Sequence, residues 1–404
     1  MPTVVLIGTL DSKGAEYGFV RDRLHAAGVD TIVVDCGTAG PPVIEPDIPA
    51  SEVAAAVGAD VAALTAAGDR GDAVTTMARG AEVIAVRLHE EGRLDGLLAI
   101  GGSGGTSIAS AAARALPIGV PKMIVSTMAA SDTRSIIGQS DLILAASVVD
   151  VAGLNSLSRR IFANAAAAMA GMVTAAPVEA ADERPLLAAS MFGVTTPSVT
   201  QARDILEGRG YEVLTFHMTG TGGQSMEALI DAGFIRGVLD VTTTELCDEL
   251  VGGELTAGPN RLTAAGRKGI PQAVSLGALD MVNFGPRETV PKQFDDRNLY
   301  VHNDQITLMR TTPEECAALG REVGEKLSAA TGPTALFIPL KGVSMIAVEG
   351  GPFHDAAADE ALFDAVRGAC GPNVEVIELD LDVNDPSFSQ AMADWLSAQL
   401  EATA

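Results

Sequence analysis

Hydrophobic positions along this chain fall into two alternating kinds of run. Short unbroken apolar stretches such as Thr3–Gly8 and Leu97–Ile100 read as strands buried on both faces. Between them lie longer stretches with apolar residues three and four apart, which read as helices. The predicted order is strand Thr3–Gly8, helix Ala15–Ala27 stopped by Gly28, strand Thr31–Asp35, helix Val74–Glu91, strand Leu97–Ile100, helix Ile108–Leu116, then strands Lys122–Ser126 and Leu142–Ala145. A long helix, Leu154–Val173, follows, and Ala175–Arg184 reads as a connector. The pattern then restarts: strand Leu186–Met191, helix Pro197–Glu207, strand Glu212–Phe216, helix Met226–Ala232, strands Gly237–Val241, Pro271–Leu276, Thr334–Pro339 and Val374–Leu379, and helix Phe388–Leu400. This alternation predicts an α/β protein of two Rossmann-like, doubly wound parallel-sheet domains, spanning 1–180 and 185–404.

The restart resembles a duplication. Leu6-Ile7-Gly8-Thr9 corresponds to Met191-Phe192-Gly193-Val194, Gly28 to Gly210, and Pro121-Lys122-Met123 to Pro271-Gln272-Ala273. Two such domains are expected to form an interdomain cleft from strand C-terminal ends, where open α/β sheets bind ligands.

Composition narrows the partners. The 404 residues exceed what one core usually serves. A net charge of −25 repels nucleic acid and anionic membrane, so neither is expected as a partner. A bound polyphosphate must then be held locally, by backbone amides, a few cations or a metal. No apolar run reaches the roughly 20 residues of a membrane span. Cys36, Cys247, Cys316 and Cys370 lie far apart, without zinc or disulfide spacing. With an N-terminus that runs straight into a strand, they predict a cytoplasmic protein with reduced thiols. A homodimer is compatible with the many apolar helices.

The strongest chemical signal is Gly101-Gly102-Ser103-Gly104-Gly105-Thr106, between a predicted strand and helix. Such a loop lets backbone N–H groups and a helix dipole meet an anion. Thr9, Asp11 and Lys13, after the first strand, add a hydroxyl, a carboxylate and an ammonium. Helix capping by Asp11 or Ser12, with Glu16 completing a capping box, is the competing reading. Gly37 and Thr38 end the second strand, where a nucleotide's sugar often sits. Asp11 and Asp132 are the candidate metal ligands.

A second glycine loop, Thr219-Gly220-Thr221-Gly222-Gly223, lies in the other domain, followed by Thr242-Thr243-Thr244 at another strand end. With Arg261 as an oxyanion clamp, these form a candidate second ligand site. His217, Asp240 and Glu245 are its candidate acid–base groups. There is no G-x-x-x-x-G-K-[S/T], no strict G-x-G-x-x-G with a downstream acid and no H-E-x-x-H. The Gly-Gly-Ser-Gly loop is similar to the Gly-Gly-Asp-Gly loop of phosphofructokinase-like and NAD kinases, with serine in place of their aspartate.

Taken together, Gly8–Gly14, Gly101–Ser107, Phe192–Gln201, His217–Gln224, Asp240–Glu245, Ala278–Phe284, His302–Pro313 and Gly350-Gly351-Pro352-Phe353 resemble one family. It is the family of the N-terminal domain of the tomato mosaic virus resistance protein and its bacterial relatives. The resemblance implies two Rossmann-like subdomains and ATP binding with Mg²⁺, at Gly101–Thr106 and the first strand's loop. The 404 residues do not extend into the plant protein's C-terminal barrel, and virus inhibition is not carried over. The expected function is an ATP-dependent enzyme acting on a small anionic metabolite in the interdomain cleft. A non-catalytic nucleotide-binding module, or an ATP-independent lyase or isomerase of a phosphorylated metabolite, are the alternatives.

Overall fold

A computed structural model describes residues 1–176 and 184–403. The chain divides into two compact units, Met1–Glu179 and Ala180–Ala404. Most of the expected connector lies outside the described residues.

The first unit runs β1 (Thr3–Gly8), α1 (Leu10–Ala26), β2 (Asp30–Asp35), α2 (Ala50–Ala55), α3 (Val61–Ala67), α4 (Arg70–Glu90), β3 (Gly96–Gly101), α5 (Ser103–Ala115), β4 (Lys122–Ser126), α6 (Arg134–Ile137), β5 (Ile143–Ala146) and α7 (Ser156–Thr174). Its sheet is parallel, in the order β2-β1-β3-β4-β5. Successive strand residues serve opposite layers. Val5 and Ile7 pack with Met77, Ile84, Ile108 and Ala112 from α4 and α5, whereas Val4 and Leu6 pack with Tyr17, Val20, Phe162 and Met169 from α1 and α7. This is why the strands read as unbroken apolar runs: both faces are covered.

The second unit continues β6 (Leu186–Met191), α8 (Thr196–Gly208), β7 (Glu212–His217), α9 (Thr221–Asp231), β8 (Gly237–Thr242), α10 (Glu245–Val251), α11 (Ala264–Lys268), β9 (Gln272–Gly277), β10 (Met281–Phe284), β11 (Leu299–Asn303), β12 (Ile306–Arg310), α12 (Pro313–Ser328), β13 (Thr334–Pro339), α13 (Ala356–Ala369), β14 (Val374–Leu379) and α14 (Pro386–Thr403). The parallel sheet has the order β14-β13-β9-β8-β6-β7. Counted from its own first strand, this repeats the order of the first unit with one strand added. The fold class is therefore α/β with two doubly wound, Rossmann-like sheets.

Three features depart from the sequence expectation. β10, β11 and β12 form a small antiparallel sheet in the order β10-β12-β11, where only polar insertions were expected. The helices α1 and α5 begin at Leu10 and Ser103, five residues before their predicted starts at Ala15 and Ile108. Thr9, rather than Asp11 or Ser12, is the N-cap of α1, and its side chain makes no cap. Glu16 accepts instead from the Gly153 amide at 2.7 Å, so the expected capping box is absent.

Candidate functional site

In the first unit the strand order reverses direction between β1 and β3, the neighbours that lead to opposite edges of the sheet. Such switch points leave a crevice at the strand C-terminal ends. The β1–β3 pairing stops at Leu6↔Leu98. Beyond it the Tyr17 hydroxyl fills the gap, accepting from the Ile100 amide at 2.8 Å and donating to the Ile7 carbonyl at 2.5 Å. Burial drives the Tyr17 pKa well above its ordinary value, so the phenol stays neutral and can donate. A Cβ on Gly8 would sit 2.2 Å from the Tyr17 ring, which explains that glycine.

A cavity of about 810 Å³ opens above this brace. It is lined by Thr9, Asp11, Ser12 and Lys13 after β1, and by Gly101, Gly102, Ser103, Gly104 and Gly105 after β3. Thr127 and Met128 after β4, Asp150 after β5, and Thr65, Asp69 and Arg70 also line it. Gly102 is the N-cap of α5, with no side chain capping that end. The first amides of α5 therefore have neither an intrahelical acceptor nor a cap.

Glycine geometry separates the roles within this loop. At Gly101 a Cβ would lie 3.0 Å from the Gly105 Cα, so close packing of strand on helix requires glycine there. At Gly102, Gly104 and Gly105 the nearest atoms would be 3.8, 3.6 and 3.7 Å away, which is ordinary contact. None of the three has a positive φ. The protein's own packing thus gives no reason for glycine at those three positions.

Two cations face this end of the cavity. The guanidinium of Arg70 approaches to 3.9 Å from where a Gly104 Cβ would stand, and it has no ion-pair or hydrogen-bond partner among the described residues. It occupies the first position of α4, where a cation opposes the helix dipole. Lys13 donates one hydrogen bond to the Val151 carbonyl and keeps two donors. Two of the cavity carboxylates are already engaged. Asp11 accepts from the Ala39 amide at 2.8 Å, and Asp69 caps α4 through the Gly71 and Asp72 amides. Asp150 has no such partner among the described residues.

Several expected site residues lie elsewhere. Thr106 is buried and bonds Ser126 Oγ at 2.7 Å, so it braces β4 rather than facing the cavity. Gly37 and Thr38 line a second cavity of about 550 Å³ at the end of β2, and Thr38 lines both. Asp132 is exposed and paired with Arg134, whose hydrogen bond lowers its pKa to about 2; it lines neither cavity. No group of three or more His, Cys, Asp or Glu side chains that could hold a metal occurs among the described residues.

At the expected second ligand site the polar groups bond to one another. Glu245 Oε1 accepts from the Gly220 and Gly223 amides at 2.7 and 3.1 Å, and its Oε2 accepts from Arg261 Nε at 2.8 Å. The anion at this helix N-terminus is the protein's own carboxylate. Cβ atoms on Gly222 and Gly223 would stand 1.8 Å from the His217 carbonyl and 2.0 Å from Glu245, so these glycines serve internal packing. Arg261 is fully enclosed and also binds Asp240 through both terminal nitrogens, at 2.6 and 2.7 Å. Burial opposes its charge, but Asp240, Glu245 and Glu227 outweigh that and raise its pKa. Burial raises the Glu245 pKa against the pull of Arg261.

Thr242, Thr243 and Thr244 are completely buried, their hydroxyls bonded to Ser190, Thr195, Ser275 and Met281. The carboxylates of Asp240 and Glu245 and the hydroxyls of the three threonines are thus all taken up by partners within the protein. Thr219 and Thr221 line neither cavity. His217 is exposed and packs its ring on Phe192 at 5.4 Å, with no acid–base partner among the described residues.

Sequence reasoning missed Arg70, Asp150 and Thr65. Only Arg70 carries a local signal, a cation at a helix start. The other two reach the cavity through the sheet order.

A model described as the Uncharacterised protein family (UPF0261) N-terminal domain matches residues 2–177, and its C-terminal counterpart matches 184–400. A UPF0261 protein of Clostridium tetani is 50% identical over 399 residues, covering 98% of this chain and 99% of that one. The ToMV resistance protein Tm-1(GCR237) of Solanum lycopersicum is 38% identical over 417 residues, covering 97% of this chain and 55% of that protein. A UDP-N-acetylglucosamine 2-epimerase from Rickettsia bellii aligns over 68% of this chain and 78% of its own, at 10% identity and a TM-score of 0.24, too low to say anything of a ligand. No described helix is long and apolar enough to cross a membrane.

Proposed function

The chain belongs to the uncharacterised protein family UPF0261, and from that premise we propose that its first unit binds a nucleoside polyphosphate, ATP, at the β1/β3 switch point. The contrast between the two glycine loops carries this reading. In the second unit the protein's own Glu245 occupies the loop amides. In the first, the α5 amides stay uncapped, three glycines lack a packing reason, and Arg70 stands unpaired beside them. An open helix N-terminus with a free guanidinium suits a phosphate chain.

In this reading the amides of Ser103, Gly104 and Gly105 take the phosphate oxygens, while Arg70 and Lys13 balance the charge. Mg²⁺ is usually held by phosphates plus one or two carboxylates, and Asp150 is the cavity carboxylate not engaged by a backbone amide. The ion would supply neutralisation of phosphate charge. We extend the proposal to an ATP-dependent enzyme acting on a small anionic metabolite. One observation favours a second reading, a nucleotide-binding module without turnover. The acid–base candidates Asp240 and Glu245 are held in an internal ion pair, so neither is free to act as a base.

The test is calorimetric titration of the whole chain with Mg-ATP and with inorganic tripolyphosphate. Both are expected to bind, and Arg70→Ala is expected to weaken both by about 10- to 100-fold, the worth of one charged hydrogen bond. Failure of both ligands to bind, or an unchanged affinity in the variant, overturns the assignment. Turnover is then read by ATP consumption across a panel of carboxylate and phosphate metabolites. ATP bound tightly and never consumed favours the module.

A further inference from the structure

The second cavity of the first unit is chemically unlike the first. Pro42, Pro46, Pro49, Ala50, Val61 and Ala62 give it a mainly apolar wall. One carboxylate, Asp35, lines it from the last position of β2. Asp35 is 3% exposed, and its two backbone bonds, from Leu10 N–H at 3.0 Å and Gly37 N–H at 2.8 Å, both fall on Oδ1. Its other oxygen, Oδ2, has no hydrogen-bond partner among the described residues. That oxygen is not fully enclosed, so it stays open to accept a ligand O–H or N–H from the cavity.

The two cavities are adjacent. Thr38 and Thr65 line both, joined by a hydrogen bond of 2.7 Å from Thr65 Oγ1 to the Thr38 carbonyl. β2 and β3 flank β1 on either side, so their ends stand two strand spacings apart, about 10 Å. A nucleoside with a phosphate chain spans such a distance. Resting on the phosphate reading above, we propose that the β2 cavity is the nucleoside subsite. Asp35 Oδ2 accepts a hydrogen bond from a ribose hydroxyl, and the planar base lies against the proline-lined wall. The ligand class is thereby a ribonucleotide rather than a sugar phosphate or a free polyphosphate. Asp35 would act as the acid at the end of the second strand does in dinucleotide-binding sheets, without their strict glycine fingerprint.

The experiment compares inorganic tripolyphosphate, ATP, 2′-deoxy-ATP and 3′-deoxy-ATP on the whole chain, all with Mg²⁺. ATP is expected to bind at least tenfold more tightly than tripolyphosphate, and one of the two deoxy analogues is expected to lose about 10- to 100-fold. Asp35→Asn keeps an acceptor for the two amides but turns the free oxygen into a donor. It is expected to bind tripolyphosphate normally and to lose the preference for the ribose hydroxyl. Ala62→Trp, on the exposed side of α3, fills the cavity from its rim and should weaken ATP while sparing tripolyphosphate. No binding of tripolyphosphate overturns the phosphate reading. Tripolyphosphate bound as tightly as ATP, or a ribose preference that survives in Asp35→Asn, overturns the nucleoside subsite alone.

Discussion

Replacing Gly104 with alanine should make the first unit more stable and its ligand weaker at the same time. Gly104 is the second residue of α5 and has no positive φ, so alanine fits its backbone. The new methyl would meet Val74 at 3.6 Å and Arg70 at 3.9 Å, both ordinary contacts. A compatible glycine-to-alanine change reduces the freedom of the unfolded chain and stabilises by about 0.4–1 kcal/mol. For a unit of this size that raises the melting temperature by about 1–4 °C. The same methyl occupies the space between the α5 amides and the Arg70 guanidinium, where the phosphate is proposed to lie. Displacing one charged contact costs about 1.5–3 kcal/mol, or about 10- to 100-fold in affinity. Thermal melts of the first unit's transition and tripolyphosphate titration measure the two effects on the same sample. Unchanged affinity would remove the functional reason for these glycines, and a lower melting temperature would show that packing had required glycine after all.

Two further predictions concern the second unit. Arg261→Met leaves Asp240 and Glu245 buried without their cation and should cost about 3–5 kcal/mol in urea denaturation while phosphate binding in the first unit persists. A small stability loss accompanied by lost phosphate binding would restore Arg261 as a ligand clamp. Asp280 is fully buried, its Oδ2 takes the Ser344 hydroxyl at 2.8 Å, and its Oδ1 has no partner among the described residues. Burial raises its pKa to about 6 despite Arg310. A raised carboxyl stabilises fully below its unfolded pKa and loses that contribution as pH rises through the folded value. Wild-type stability relative to Asp280→Asn should therefore fall by about 3 kcal/mol between about pH 4 and pH 7, read from urea midpoints at several pH values. A difference that does not vary with pH rules the titration out.

Much of this architecture was legible in local pattern. Strands covered on both faces are apolar at nearly every position, and β1 and β3 show that in a single line of sequence. The antiparallel β10–β12 sheet gave no such signal. Its strands are four or five residues long, and its register joins Met281 to Arg310 across a long insertion. The early start of α5 was hidden because glycines are poor helix formers; tertiary packing of Gly101 on Gly105 overrides that preference.

The sequence by itself determined the α/β class, the repeated strand–helix alternation and the presence of two glycine loops at strand ends. It could not tell those loops apart, because each presents free amides until something distant in the chain is folded against it. Tertiary structure decided that Glu245 and Arg261 fill one loop, while Arg70, from the start of α4, stands over the other and leaves it open. Hydrophobic periodicity reports which face of an element is buried. Whether an amide is free depends on polar partners that only the strand order brings within hydrogen-bond reach.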